Sequence, residues 1–68
     1  MSLRQRKLTP RELEVVECVR LGLQNKEIAH RLGIAEGTVK IHLHTVFNKT
    51  GYKSRLQLAL INTRRWHD

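Results

Sequence analysis

The residues NKEIAHRLGIAEGTVKIHLHTVFNK, 25–49, decide how this chain is read. Ile28, Ala29 and Leu32 form an apolar stripe barely two helical turns long, closed by Gly33. Asn25 is a good N-cap for a helix over 26–32, because its side chain can accept from a free amide of the first turn. A helix this short is not stable alone and must lean on neighbours. After Gly33-Ile34-Ala35 a second helix is predicted over 36–49. Wound at 100° per residue, Val39, Leu43, Val46 and Phe47 fall within one apolar arc, which faces a core.

The opposite arc carries Gly37, Lys40, Ile41, His44, Thr45 and Asn48. An isoleucine among small, polar and basic residues is the anomaly. A lone exposed apolar side chain is ordinary on a protein surface, but one flanked by hydrogen-bonding groups can also read a partner. The connection between the two helices narrows the choice. A short helix, a three-residue turn containing glycine and a longer helix make a helix-turn-helix. Ile34 would plug that turn onto the core.

Working outward, the strand signals are poor and the helix punctuation is strong. Thr9-Pro10-Arg11-Glu12 combines an N-cap threonine, a proline at the first helical position and a glutamate at the third, which is a capping box. It starts a helix over about 10–21, with Leu13, Val16 and Val19 at helical spacing and Gly22 at its end. Ser54-Arg55-Leu56-Gln57 is a second capping box, starting a helix over about 55–65 with Leu56, Leu60 and Ala59 inward. The expected fold is therefore all-α, a four-helix, bundle-like domain over residues 8–65. Residues 1–7 form an N-terminal lead and 66–68 a tail.

Sixty-eight residues make one small domain. Only Phe47, Tyr52 and Trp66 are aromatic, so aliphatic packing must form most of the core. The single cysteine, Cys18, excludes an internal disulfide and a thiolate metal cage, and suits a reducing cytoplasm. No run of apolar residues is long enough to span a membrane. The formal net charge is +7, and its distribution is lopsided. Residues 1–36 hold seven Lys/Arg and five Asp/Glu, whereas residues 37–67 hold six Lys/Arg and no acid. That asymmetry is either a solvated basic surface or the footprint of a polyanion, most often nucleic acid.

In a helix-turn-helix the second helix lies in the major groove of double-stranded DNA, its N-terminal half against base edges. Lys40 and His44, at i and i+4, stack on one side of that helix. Lys40 can donate to guanine O6 and N7, His44 to an acceptor edge, and Ile41 fits a thymine methyl. Asn25 and Lys26 open the preceding helix, whose free amides suit a phosphate. Thr38, His42, Lys49 and Lys53 are further candidates for the DNA backbone. Two of these have plainer alternatives: His42 as a half-buried structural histidine, Lys53 as a solvated loop charge.

Four stretches at this order and spacing, LTPRE (8–12), GLQNKEIAHRLGI (22–34), TVKIH (38–42) and K-x-x-x-K-S-R (49–55), resemble the LuxR/NarL-type helix-turn-helix domain of bacterial transcription regulators. The resemblance covers about residues 8–61. It implies a four-helix DNA-binding domain, usually the C-terminal output module of a longer response regulator or ligand-sensing protein. It also implies base contacts at the positions of Lys40, Ile41 and His44, and a dimer contact through the fourth helix. Leu58 and Ile61 either form an apolar side for that contact or finish the monomer core. The family usually has Ser or Thr where this chain has Ala35, and loss of an N-cap hydroxyl typically costs about 1 kcal/mol.

Enzyme readings lack parts. His42 and His44 are two apart, about 200° around a helix, and cannot pinch one metal. HExxH, CxxC, P-loop and GxSxG patterns are absent, so no cofactor or metal is expected. The competing class is a protein-interaction module related to sigma-factor region 4, contacting RNA polymerase or a regulator. Its mark would be a large apolar patch, whereas the outer arc of 36–49 carries one isoleucine.

Overall fold

A computed structural model describes residues 7–67. Among them are four α-helices and a terminal 3-10 turn: α1 (Pro10–Arg20), α2 (Asn25–Leu32), α3 (Glu36–Thr50), α4 (Arg55–Ala59), and the turn over Thr63–Trp66. The all-α, four-helix expectation holds. None of the described helices is long and apolar enough to cross a membrane.

α1 begins where Thr9 and Glu12 satisfy each other. The Thr9 hydroxyl accepts from the Glu12 N–H at 3.1 Å, and Glu12 Oε1 accepts from the Thr9 N–H at 2.9 Å. Two orphan donors of the first turn are thereby removed. Val15, Val16, Cys18 and Val19 turn inward. α3 crosses both α1 and α2, and α4 packs on α1. Between them Val15, Val16, Ile28, Val39, Val46 and Leu58 are fully enclosed. Phe47, Tyr52 and Trp66 pack only partly against this aliphatic centre.

The turn between α2 and α3 is fixed by glycine and isoleucine together. Gly33 sits in the left-handed region at φ 69°, which costs a residue without Cβ nothing. That conformation lets the Ile34 N–H donate back to the Ala29 carbonyl at 3.0 Å, and Ile34 packs against the core. Ala35 starts α3 with no side-chain cap.

Three expectations need correction. The N-cap of α2 is Gln24, and Asn25 is its first helical residue. The choice follows from Glu27, whose carboxylate accepts the Gln24 N–H at 2.7 Å and sets the helix start one residue early. The last helix ends at Ala59 and does not reach residue 65. Asn62 adopts an extended backbone and its side chain accepts from the Arg64 N–H at 3.1 Å, a local bond that competes with continuing the helix. α4 is also turned around. Leu58 and Ile61 are buried in the monomer core, while Leu56 and Leu60 are 69% and 77% exposed. The sequence offers two apolar pairs on nearly opposite sides, and in so short a helix the anchors at Ser54 and Arg55 set the rotation. The Ser54 hydroxyl accepts from the Gln57 N–H, and the Arg55 guanidinium is held by α2 and the loop before it.

The ends of the described chain meet. The Leu8 N–H donates to the Trp66 carbonyl at 3.0 Å, so Trp66 belongs to the packed unit. Its indole N–H is buried without a hydrogen-bond partner among the described residues. Close by, Lys49 Nζ meets Glu12 Oε1 at 2.8 Å and the Lys7 carbonyl at 3.1 Å. Glu12 is the one buried charged residue among those described. Burial pushes its carboxyl up, but hydrogen bonds from Lys49 and from the Thr9 N–H outweigh that and hold it below the usual carboxylate range. A depressed native value contributes stability above the unfolded value and loses it as pH falls through the native one. Glu12→Gln is therefore expected to cost about 1–3 kcal/mol at neutral pH. In urea titrations across pH, the difference from wild type should shrink below the carboxylate range, where the native carboxyl is protonated too.

Candidate nucleic-acid interface

The exposed side of α3 is built by its own periodicity. Val39, Leu43 and Val46 are drawn into the core, which turns Gly37, Lys40, Ile41, His44 and Asn48 outward. Ile41 is 66% exposed despite its apolar side chain. Lys40, Ile41 and His44 thus share one solvent-facing surface in the N-terminal and middle turns of the second helix of the motif. Thr38 and Thr45 lie half-buried at its edges. His42 is half-buried as well, about 200° around from His44.

The backbone-contact candidates divide into those left exposed and those the fold engages. Lys26 is exposed on the first turn of α2. Asn25 Oδ1 accepts from Arg55 Nη1 at 2.8 Å, while Arg55 Nη2 donates to the Leu23 carbonyl at 2.8 Å. One guanidinium therefore ties the start of α4 to the loop and first turn of α2, using the planar fork that suits two acceptors at once. Lys53 is exposed just before α4, and its backbone N–H is taken by Gln57 Oε1 at 2.6 Å. Lys49 lies nine residues beyond Lys40, about half a turn around the helix, and is engaged by Glu12 on α1. Its first role is to hold α3 in place.

Arg55 and Gln24 hold structural roles that pattern reasoning did not single out. Arg55 bridges residues thirty and more positions away, and no local spacing announces that. The sequence signal nearest to it is the K-S-R triplet, which marks the residue without its partner. Cys18 offers no chemistry: it is buried, and burial pushes its thiol up, away from the reactive thiolate.

Comparison with known proteins agrees with this geometry. The profile of bacterial regulatory proteins of the luxR family matches residues 6–62. The transcriptional regulatory protein LnrK of Bacillus subtilis is 46% identical over 57 residues, covering 84% of this chain and 26% of its own length. The nitrate/nitrite response regulator protein NarL of Escherichia coli K12 is 45% identical over 53 residues, covering 78% of this chain and 24% of its own. A putative HTH-type transcriptional regulator, Rv0890c of Mycobacterium tuberculosis, is 48% identical over 58 residues, covering 85% of this chain and 7% of its own. The chain thus spans about a quarter or less of each of these three relatives. No solved structure gives a significant match.

Because Arg55 holds two elements through exposed bonds, Arg55→Ala should cost only about 1 kcal/mol in thermal unfolding. The same variant should raise amide hydrogen exchange selectively at residues 23–27, where the acceptors lose their donor.

Proposed function

The chain belongs to the luxR family of bacterial regulatory proteins, a family of DNA-binding transcription regulators, and we propose that it reads a specific double-stranded DNA sequence with α3 in the major groove. The observation that supports this most is the outward trio on α3. Lys40, Ile41 and His44 present a donor, a methyl-sized apolar surface and an imidazole on one side of the second helix, in a half of the chain without acids before Asp68. Lys40 donates to a guanine edge and Ile41 packs on a thymine methyl. The exposed Lys26, with Thr38 and Lys53 at the margins, neutralises phosphates and sets register without reading sequence. Lys49 and Asn25 contribute by holding α3 and α2 in position.

The chain is the output module of a longer regulator, in which a separate domain senses a signal and this one carries DNA binding. The partial coverage of its relatives supports that reading. The setting is the bacterial cytoplasm, where DNA and RNA polymerase are at hand.

A homodimer forms through α4, and its apolar contact is Leu56 with Leu60. These two are exposed at i and i+4, whereas Leu58 and Ile61 are spent on the core. A symmetric pair addresses two half-sites about 34–36 Å apart or a multiple of that spacing. Leu60→Lys is expected to leave thermal stability nearly unchanged and to weaken binding to a two-half-site duplex far more than to a single half-site, read by gel shift.

The primary test is selection of bound duplexes from a random library, followed across a salt series. The expected result is a recurrent motif, bound with a log–log salt slope of about −0.9 per phosphate neutralised. Lys40→Ala should lose about 1–3 kcal/mol of preference at one base pair. Lys26→Ala should weaken all duplexes alike and flatten the salt slope. Equal weakening of selected and random DNA by Lys40→Ala would remove its base-reading role. Absence of binding at low salt would leave the sigma-like protein-interaction reading.

A further inference from the structure

His44 stands one helical turn beyond Lys40 on the exposed side of α3, with exposed Ile41 between them. Residues at i and i+4 are offset by only about 40°, so both polar heads reach the same stretch of groove. Ile41 has no charge. An imidazole changes state between pH 5 and 8. Neutral, it carries one donor and one acceptor; protonated, it carries two donors and a charge. The guanine edge and the phosphates around it offer acceptors and negative potential. We infer that His44 contacts DNA in its protonated form, so that recognition of the selected site takes up a proton and tightens as pH falls from 8 to 6. The inference rests on the DNA-reading role proposed above and gives one of its contacts a charge state.

The surroundings of His44 explain why the proton arrives with the DNA. On α3, the charged neighbours are Lys40 one turn earlier and Glu36 two turns earlier; His42 lies on the other side of the helix. From residue 37 to 67 the chain has no carboxylate, so neither the rest of α3 nor α4 supplies one. Among the groups of α2, which packs on α3, Lys26, His30 and Arg31 are not acids, and the Glu27 carboxylate is engaged by the Gln24 N–H. On α1, Glu12 is taken by Lys49, and Glu14 and Glu17 pair with Arg11 and Arg20. The one carboxylate on this helix, Glu36, lies two turns from His44, about 12 Å along the axis, so the nearer negative field for an imidazolium on this face is the duplex. A charge stabilised only in the complex makes binding depend on pH, by the same linkage that makes folding do so.

The test is fluorescence anisotropy of the 68-residue chain on a labelled duplex carrying the selected site, and on a scrambled duplex, at pH 6, 7 and 8 and fixed ionic strength. Wild type should bind the selected site about fivefold to tenfold more tightly at pH 6 than at pH 8, since each unit of pKa displacement is worth about tenfold. His44→Gln should flatten that dependence. His44→Lys, with a permanent charge, should be flat as well and hold near the low-pH affinity. His30→Gln and His42→Gln should keep the wild-type slope. A flat wild-type profile overturns the inference, as does a slope that survives in His44→Gln. A wild-type chain that selects no site at any pH fails at the DNA-reading role itself and takes this inference with it. Circular dichroism of each variant shows that the fold is retained.

Discussion

Lys49 reaches from the last turn of α3 to the carboxylate that caps α1. The same oxygen, Glu12 Oε1, also accepts the Thr9 N–H, so one buried atom closes the start of one helix and anchors the end of another. A buried carboxylate is tolerated only when it is paired and hydrogen-bonded. Here that requirement has a geometric effect. The second contact of Lys49, to the Lys7 carbonyl, adds that residue to the same junction. The direction of α3, and with it the direction in which Lys40 and His44 project, follows from this junction at one end and the Gly33-Ile34 turn at the other.

Between those anchors little is left to adjust. The Ile34 N–H is tied to α2, Val39, Leu43 and Val46 are buried, and Gly51 ends the helix at φ 77° with its N–H on the Phe47 carbonyl. Thr50 helps to finish the turn: its hydroxyl donates to the Val46 carbonyl and accepts from the Tyr52 N–H. A helix that presents side chains to a partner needs them at fixed offsets, and rigid elements provide that better than loops. Arg55 extends the same framework to the loop before α2 and to its first residue, Asn25.

Much of this was written in local patterns. Capping boxes, glycines after stripes and the i, i+3, i+4 spacing placed α1, α2 and α3 to within a residue, because each is a contest among near neighbours in sequence. The outward set on α3 followed from the same periodicity. What the pattern could not carry was settled over long range or between close alternatives. Leu56 with Leu60 and Leu58 with Ile61 are equally good stripes, and the anchors of Ser54 and Arg55, the latter over long range, decide which pair is buried. The premature end of α4 depends on an Asn62 side chain preferring its own backbone. The Lys49–Glu12 pair and the Arg55–Asn25 bridge join residues 37 and 30 apart, and a lone lysine or arginine reads as surface until its partner is known.

The lead segment before α1 has a mechanical meaning. Lys7 is gripped by Lys49 through its carbonyl, and Leu8 is pinned to Trp66. Lys7 thus meets the final turn of a fifteen-residue rod, about 22 Å long, whose opposite half carries Lys40 and Ile41. Both contacts fix the point at which the chain enters the packed unit, at the junction of α1 with the last turn of α3 and the terminal 3-10 turn.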